Sequence, residues 1–443
     1  MNAKEEFKNL KNLGIDHLST QLNKSDDDEL VFYNLGKSEK EIQAFLQRLG
    51  SAKAKVIYIN RDIQCEDKRV HFLSPELFKT ILTDLLSLFY PVPDKKFVGI
   101  TGTNGKTSCV YHLEQILQQK KYRVLTIGTL GVRINSKIIK DFGLTTPGQC
   151  ELRRVIFENQ KNYDYCLMEV SSHALEQSRI EGISLDCAGW TNLTQDHLDY
   201  HKTMENYLAA KLKIINYLKP NAKLVVSDSD VYEKIKDTNE YIILAEVHNF
   251  NKLRTELDTV FGRKNMNLCR SIANELGILE VEFSQLESPP GRFEIIENNN
   301  IKVIVDYAHT PDALKNACLG IKQSFPKARL ITVFGCGGDR DRSKRQLMAK
   351  VAEALSDKII VTSDNPRTEK PENIISEILE GFTKQHLSEV DRKTAITMGL
   401  DMASAGDIIL IAGKGHETYQ EVNGIKHPFD DIKIVKDIWG LND

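Results

Sequence analysis

The stretch VGITGTNGKTSCV (98–110) constrains this chain more than any other. A short apolar run enters a turn with glycines at 102 and 105, and Lys106 and Thr107 then open a helical pattern. Strand, glycine turn and helix in that order form a cradle for phosphate. The glycines let backbone N–H groups face an anion, and the helix N-terminus adds a favourable field. Lys106 contributes a positive charge, and the Thr107 hydroxyl can reach Mg²⁺. The general P-loop pattern places another glycine where this chain has Ile100, with Gly99 and Gly102 flanking it. The cradle alone fits a switch, a motor, a kinase or a ligase that activates a carboxylate, and a ligand-free glycine turn is the bland alternative.

A length of 443 residues suggests about three domains. Two proline-containing stretches, FYPVPDKK (89–96) and ESPPGRFE (287–294), read as linkers. They divide the chain into 1–92, 93–290 and 291–443. The middle segment alternates the apolar runs KFVGIT, RVLTI, YCLMEV, CAGWTN and KLVVSD with helical patterns at about 105–120, 149–161 and 203–218. That alternation predicts a parallel sheet covered by helices. The last segment repeats it with IKVIVDYA, RLITVF, KIIVT and DIILIA, and helices after Pro311, Ser343 and Pro371. The first segment reads as a small α/β unit, with KSDDDE (24–29) a solvated acidic loop. The expected class is therefore α/β throughout, with a central P-loop sheet domain and a Rossmann-like C-terminal domain.

Charge narrows the function. Fifty-nine basic and 62 acidic side chains give a net charge of −3, which weighs against a general nucleic-acid binder. No apolar run is long enough for a membrane helix, and the charged start MNAKEEFKNLKNLG lacks the apolar core of a signal peptide. The eight cysteines form no CxxC pair, so zinc and thioredoxin readings fail and a reducing cytoplasm is the natural compartment.

Three stretches offer chemistry. Glu169 ends the run YCLMEV, and the carboxyl end of a parallel strand is where open α/β sheets bind ligands. It is a candidate Mg²⁺ ligand, or else a capping or ion-paired glutamate. TNLTQDHLDYH (191–201) sets Asp196, His197, Asp199 and His201 after another strand, where one of them can face the same site. Lys211 falls on the apolar stripe of Met204, Tyr207, Leu208, Ile214, Ile215 and Leu218, whereas Lys213 falls off it. A neutral buried amine can take up CO₂ as a metal-binding carbamate. On spacing alone, a lysine snorkelling at the stripe's edge is the stronger reading.

Taken together, GITGTNGKTS, LTTPG (144–148), MEVSSHAL (168–175), TNLTQDHLDYH, YLAAK (207–211), PPGRFEII (289–296), VDYAHTPDAL (305–314), FGCGGDRDRSKRQLM (334–348), TSDNPRTE (362–369) and IAGKGHETYQ (411–420) resemble the Mur ligase family of ATP-dependent amide-forming enzymes. The resemblance is strongest to members that add 2,6-diaminopimelate. It implies the three-domain Mur ligase architecture. It also implies that Thr101, Gly102, Thr103, Asn104, Gly105, Lys106 and Thr107 hold ATP, with His309 near the nucleotide. Thr107, Glu169 and His197 would ligate Mg²⁺, two ions being expected, and Lys211 would be carbamylated, which reverses the reading from spacing. Lys106, Lys211, His197 and Glu169 would be catalytic. Thr145, Thr146, Ser171, Gln177 and Arg179 would hold UDP-N-acetylmuramoyl-L-alanyl-D-glutamate. Arg340, Asp364, Asn365, Pro366, Arg367, Gly413 and Glu417 would hold the incoming amino acid.

The implied reaction phosphorylates the D-glutamyl carboxylate and lets the amine of meso-diaminopimelate attack the acyl phosphate. Arg367 after DNP suits diaminopimelate, because a guanidinium fork can take its second carboxylate and a lysine substrate would leave the fork unpaired. The implied setting is a cytoplasmic monomer with small-molecule substrates, without nucleic acid or membrane insertion, in peptidoglycan synthesis. Two stretches depart from the family pattern. Gln21, Leu22 and Asn23 stand where an Asp-Ser-Arg-like run is usual, so no N-terminal site residue is assigned. FGRKNMN (261–267) lacks the usual Asn-x-x-Asn, so adenine contacts can differ. The alternatives are a ligase for L-lysine or for another carboxylate, and a Mur-fold binding protein without activity.

Overall fold

The computed structural model of the chain describes residues 2–250 and 252–441. The chain divides into two compact units. The first draws on Met1–Thr101, Lys120–Ala188 and Ala210–Leu224, the second on Gly102–Gln119, Gly189–Ala209 and Val225–Asp443.

The first unit opens with an all-parallel sheet in the order β1 (His17–Ser19), β2 (Glu29–Tyr33), β3 (Val56–Ile59), β4 (Val70–Phe72). Its inner strands are apolar on both faces because both faces are covered. Leu30, Phe32 and Tyr58 pack against Phe78, Ile81 and Leu85 of the helix Pro75–Phe89. Val31, Ile57 and Ile59 pack against Phe45 and Leu49 of the helix Glu39–Leu49. Both helices start at an N-cap serine: Ser38 forms a reciprocal capping box with Glu41, and Ser74 precedes Pro75. The acidic loop is less solvated than its composition suggests. Ser25 is buried, and Glu29 opens β2 and pairs with Arg154 at 3.0 Å.

The second sheet holds β5 (Lys96–Thr101), β6 (Val124–Gly128), β7 (Gly131–Ile134), β8 (Lys137–Lys140), β9 (Tyr165–Glu169), β10 (Leu185–Trp190), β11 (Leu218–Val226) and β12 (Ile242–Leu244). Its order is β12-β11-β10-β5-β9-β6-β7-β8, and β10 and β11 begin in the first unit and end in the second. β5 and β6 both run parallel to β9, so Gly128 and Glu169 end neighbouring strands on the same side. The edge hairpin β7–β8 is antiparallel, and sequence periodicity did not foresee it. Asn135 and Ser136 turn it with positive φ at both positions, the backbone a two-residue hairpin requires. The helix expected over 203–218 is shorter: it runs Met204–Leu212, tightens into a 3₁₀ turn over Lys213–Tyr217 and enters β11 at Leu218. The paired β-branched residues Ile214 and Ile215 and the nearby Pro220 disfavour further α-helix.

The third sheet lies in the second unit, in the order β13 (Glu294–Asn298), β14 (Ile301–Asp306), β18 (Ile408–Ala412), β15 (Leu330–Phe334), β16 (Lys358–Thr362), β17 (Leu387–Glu389). All neighbours are parallel except the edge strand β13. β14, β15, β16 and β18 therefore end on one side. Their ends run directly into YAHTPD, GCGGDRDR, SDNPR and GKGHE, so four motifs scattered over more than 100 positions emerge along one sheet edge. A hairpin of β19 (Tyr419–Val422) and β20 (Ile425–Pro428) follows, turned at Asn423-Gly424. Among the described residues no helix is long and apolar enough to cross a membrane. Among the described residues the eight cysteines form no disulfide, and all but Cys65 are buried.

Candidate functional site

In the second unit the phosphate loop is strapped from outside. Asn192 accepts from the Asn104 amide through Oδ1 at 2.9 Å, and its carbonyl accepts from the Thr103 amide at 3.0 Å. Thr191 Oγ1 donates to the Asn104 carbonyl at 2.5 Å, and the Thr194 amide donates to Thr103 Oγ1 at 3.0 Å. Gly102 (φ +135°) and Gly105 (φ +85°) are obligatory here: a Cβ at 102 would lie 1.8 Å from Thr191 Oγ1, and one at 105 would lie 2.8 Å from Asn265 Oδ1. Lys106 Nζ donates to the carbonyls of Gly102 and Thr103 at 2.9 and 2.8 Å, so its charge sits over the loop. The Thr107 hydroxyl lies 3.4 Å from Arg292 Nη2, and the Arg292 guanidinium stacks 4.4 Å from the Tyr307 ring centroid. Asn192, Asn265 and Arg292 were not among the expected site residues. All three lie within stretches already singled out, TNLTQDHLDYH, FGRKNMN and PPGRFEII, at uncharged or isolated positions rather than in charged clusters.

His197 adopts the left-handed region (φ +55°), with Nε2 3.4 Å from Asp196 Oδ2. Burial pushes the Asp196 carboxyl up, but Lys344 at 3.6 Å, His197 and His309 outweigh it and hold the group well below the usual carboxylate range. His309 Nδ1 donates to the Tyr307 carbonyl at 2.8 Å, and its low-dielectric surroundings with the Lys344 charge lower its pKa to about 4. Asp312 reaches the loop itself, accepting from Asn104 Nδ2 at 3.0 Å. Lys344 was likewise missed by the sequence reading, although it lies inside GDRDRSKR.

Also in the second unit, Asp364, Asn365 and Glu417 surround Lys414, a lysine with 0% exposure. Lys414 Nζ lies 3.1 Å from Asn365 Oδ1, 3.3 Å from Glu417 Oε2 and 3.6 Å from Asp364 Oδ1. Asn365 Nδ2 donates to Glu417 Oε2 at 2.8 Å. Burial and then the Asp364 charge raise the Glu417 pKa against the pull of Lys414. Gly413 sits beside this group, where a Cβ would be 3.5 Å from Asp364 Oδ2. Arg367 follows Pro366 in the left-handed region (φ +52°), donates from Nη1 to the Gly338 carbonyl at 2.7 Å and lies 3.4 Å from Glu421 through Nε. Arg340 is exposed on the neighbouring GDRDR loop. The buried pair Arg392–Asp431 supports the cluster from below, because Arg392 also donates to the carbonyls of Ser363 and Ala412.

In the first unit Glu169 is 1% exposed, and its two oxygens accept from the Thr129 amide at 2.8 Å and the Thr129 hydroxyl at 3.2 Å. Thr145 Oγ1 lies 3.3 Å from that hydroxyl, and Thr146 Oγ1 donates to the Glu169 carbonyl at 2.8 Å. The Ser171 amide donates to Thr146 Oγ1 at 3.1 Å. Arg179 donates to the Thr146 carbonyl at 2.6 Å and, from Nε and Nη2, to Gln177 Oε1. Six expected residues, four from the motifs LTTPG and MEVSSHAL and two, Gln177 and Arg179, just beyond the second, thus meet in one hydrogen-bonded group. Lys211 is 1% exposed in the same unit, which overturns the snorkelling reading: the short helix keeps its whole side chain inside.

Next to this group lies a cavity of about 720 Å³, lined by the cations Lys24, Arg48, Lys79 and Arg179 against two carboxylates, Glu176 and Glu181, with Thr20 and Asn60 among its other polar walls. The rim at 19–20 is held by Glu151, which accepts from Ser19 Oγ (3.0 Å), the Thr20 amide (2.7 Å) and Thr20 Oγ1 (2.6 Å). A second, narrower cavity of about 100 Å³ lies in the other unit beside Asn104 and Gly105.

Residues 100–284 match the Mur ligase middle domain, and residues 291–415 match the family described as Mur ligase, glutamate ligase domain. A Fusobacterium nucleatum protein named UDP-N-acetylmuramoyl-L-alanyl-D-glutamate--2,6-diaminopimelate ligase is 41% identical over 387 residues, spanning 80% of this chain and 79% of the relative. A solved structure of a ligase with that name matches with a TM-score of 0.59 at 27% identity, over 96% of this chain and 95% of the other. The structure of a MurF ligase from Thermotoga maritima in complex with ADP has the same fold, with a TM-score of 0.61 at 16% identity over 90% of this chain and 94% of that one.

Proposed function

The chain belongs to the Mur ligase family, and from that premise we propose that it joins meso-2,6-diaminopimelate to UDP-N-acetylmuramoyl-L-alanyl-D-glutamate at the expense of ATP. The phosphate loop 101–107 takes the nucleotide. Thr145, Thr146, Ser171, Gln177 and Arg179 take the peptide end of the acceptor, and the 720 Å³ cavity with its four cations takes the diphosphate-bearing end. In domain terms this is 1–92 for the nucleotide sugar, 93–290 for ATP and 291–443 for the amino acid.

A D-glutamyl carboxylate oxygen attacks the γ-phosphorus, and the bond from the β–γ bridging oxygen breaks to release ADP. The amine of the amino acid then attacks the acyl carbon, loses a proton and expels phosphate. Lys106 and the loop amides oppose the charge that builds on the transferring phosphoryl group. His309 lies close to the nucleotide. Asp364, Asn365, Gly413 and Glu417 grip the amino acid's α-amino acid end, and Arg340 and Arg367 its far end.

The donor set suits Mg²⁺ rather than a tightly chelated metal. Among the described residues no three His, Cys, Asp or Glu side chains converge, and a sparse oxygen-rich set completed by phosphates and water is how Mg²⁺ is usually held. Thr107, Glu169 and His197 would hold two such ions, with a carbamate on the buried Lys211 as a further oxygen donor. Bound there, the ions would neutralise phosphate charge.

The observation that carries the diaminopimelate assignment is Arg367, fixed on one edge by Gly338 and Glu421 with further N–H donors for a distal carboxylate. The test is phosphate release from ATP with Mg²⁺ and UDP-N-acetylmuramoyl-L-alanyl-D-glutamate, with meso-diaminopimelate and L-lysine in parallel. Release that needs both the acceptor and diaminopimelate is the expected result. Release with lysine instead discards the Arg367 assignment, and release with neither discards the ligase. We infer that it acts as a monomer on small molecules in the cytoplasm.

A further inference from the structure

Lys414 is a buried cation that the proposed reaction leaves without a role. Its loop turns on Gly413 (φ +120°) and Gly415 (φ +52°), and a Cβ at 415 would lie 2.5 Å from the Gly291 carbonyl oxygen. The Glu417 amide donates to the Lys414 carbonyl at 3.0 Å, so one tight turn supplies both side chains. At 0% exposure Lys414 touches no substrate, and its ammonium group acts inside the protein. A methionine of similar length would fill that space without the cost of desolvating a charge.

What the charge does follows from its neighbours. Lys414 Nζ and Asn365 Nδ2 both reach Glu417 Oε2, at 3.3 and 2.8 Å. That anchors one carboxylate oxygen, while Oε1 has a long contact of 3.5 Å to the Tyr307 hydroxyl. The Glu417 side chain keeps 15% exposure, so it is the member of the group that a substrate can reach. Asp364 Oδ1 is buried and accepts no hydrogen bond among the described residues, and Lys414 is the cation it faces at 3.6 Å. Arg392 below is already matched by Asp431. Two carboxylates against one lysine leave one negative charge, which a single ammonium group neutralises. Burial and the Asp364 charge raise the Glu417 pKa, and Lys414 pulls it back. Without Lys414 the two carboxylates would oppose each other in a low dielectric, and a proton on Glu417 is the cheapest relief. Protonated, Glu417 offers no charge to an ammonium group.

We propose that Lys414 is a positioning residue for the incoming amino acid, holding Glu417 as a fixed carboxylate that receives the substrate's ammonium group. This rests on the reading that Asp364, Asn365, Gly413 and Glu417 take the amino acid. The groups that face Glu417 are Lys414 from its own loop, Asp364 and Asn365 from the loop after β16, and Tyr307 from the loop after β14, with the Arg392–Asp431 pair beneath.

The test measures KM for meso-diaminopimelate and kcat by acceptor-dependent phosphate release from ATP, at pH 6.5 and pH 8.5, for the full chain and for Lys414→Met and Lys414→Gln. The ratio of variant to wild-type KM cancels the titration of the substrate's own amines. That ratio is expected to be about tenfold at pH 8.5 and about 100-fold at pH 6.5, where Glu417 carries a proton in the variants but not in wild type. At saturating amino acid kcat is expected to stay within about threefold of wild type, as are the KM values for ATP and the acceptor. Glutamine keeps a hydrogen-bond donor and loses the charge, so it should behave as methionine does, and it carries the comparison if the methionine variant does not fold. Wild-type KM values in either variant overturn the proposal. A KM ratio equal at the two pH values, with kcat lowered, also overturns it and marks a purely structural residue. A wild-type chain that releases no phosphate with meso-diaminopimelate overturns the amino-acid assignment itself and is thereby distinct.

Discussion

The phosphate loop and the wide cavity, where four cations outnumber two carboxylates, both suit anions, yet they are built in opposite ways. The loop is seven consecutive residues whose backbone does the binding, fixed by hydrogen bonds from another short run, Thr191–Thr194. The cavity gathers side chains from positions 20, 24, 48, 60, 79 and 179, each brought in by a different element. A backbone cradle depends on φ values and therefore on glycines at fixed places. A side-chain cavity depends on how helices and strands stack. The first kind of site is robust to surface change but intolerant at two or three positions. The second kind spreads its affinity over many residues, each of modest weight.

That contrast predicts where single changes are felt most. Lys106→Ala removes the loop's own cation, and kcat is expected to fall about 10³-fold with little change in the KM of the nucleotide-sugar acceptor. A small loss in kcat would mean the backbone amides carry the charge alone. Lys211→Ala is expected to lose ligation by a similar factor and to recover part of it when short-chain carboxylates are supplied. Full activity without them would remove the carbamate from the mechanism.

Arg367→Ala is next. The kcat/KM preference for meso-diaminopimelate over L-lysine is expected to drop about 100-fold, the worth of a charge-assisted pair. An unchanged ratio means another group reads the distal carboxylate. Glu151→Gln tests the dispersed site through one of its supports, since it weakens three hydrogen bonds that hold the rim at 19–20. The acceptor's KM is expected to rise about tenfold, with kcat and the KM for ATP nearly unchanged. An equal effect on ATP would show that the two regions are not independent.

The smallest effect is on acid stability. His112 has a folded pKa of about 3 against about 6.5 unfolded, so between these values the unfolded chain binds more protons. Stability therefore falls as pH drops from 6.5 toward 3, and His112→Leu should lose less melting temperature between pH 7 and pH 5 than wild type. Parallel melting curves at the two pH values would assign the acid sensitivity to other groups.

Legibility follows the same division. The strand–turn–helix at 96–119 and the alternation of the third sheet could be read directly, because apolar periodicity and glycine placement are local. The helix end at 212 and the hairpin at 131–140 could not, since they follow from where the chain must enter the next strand. In TNLTQDHLDYH the charged residues drew attention, but the uncharged Thr191, Asn192 and Thr194 hold the loop. GKGHE was recognised, yet Lys414 within it emerged only as a buried cation at the centre of Asp364, Asn365 and Glu417.

The sequence by itself determined that this chain is an α/β protein with a phosphate cradle, because backbone conformation and apolar period are set by neighbours along the chain. It also determined which motifs carry chemistry. Only the tertiary structure decided that Lys211 is wholly buried and that Glu169 is oriented by Thr129. Those facts depend on which side chains from distant positions exclude water around one group, and burial of that kind is a property of the packed fold.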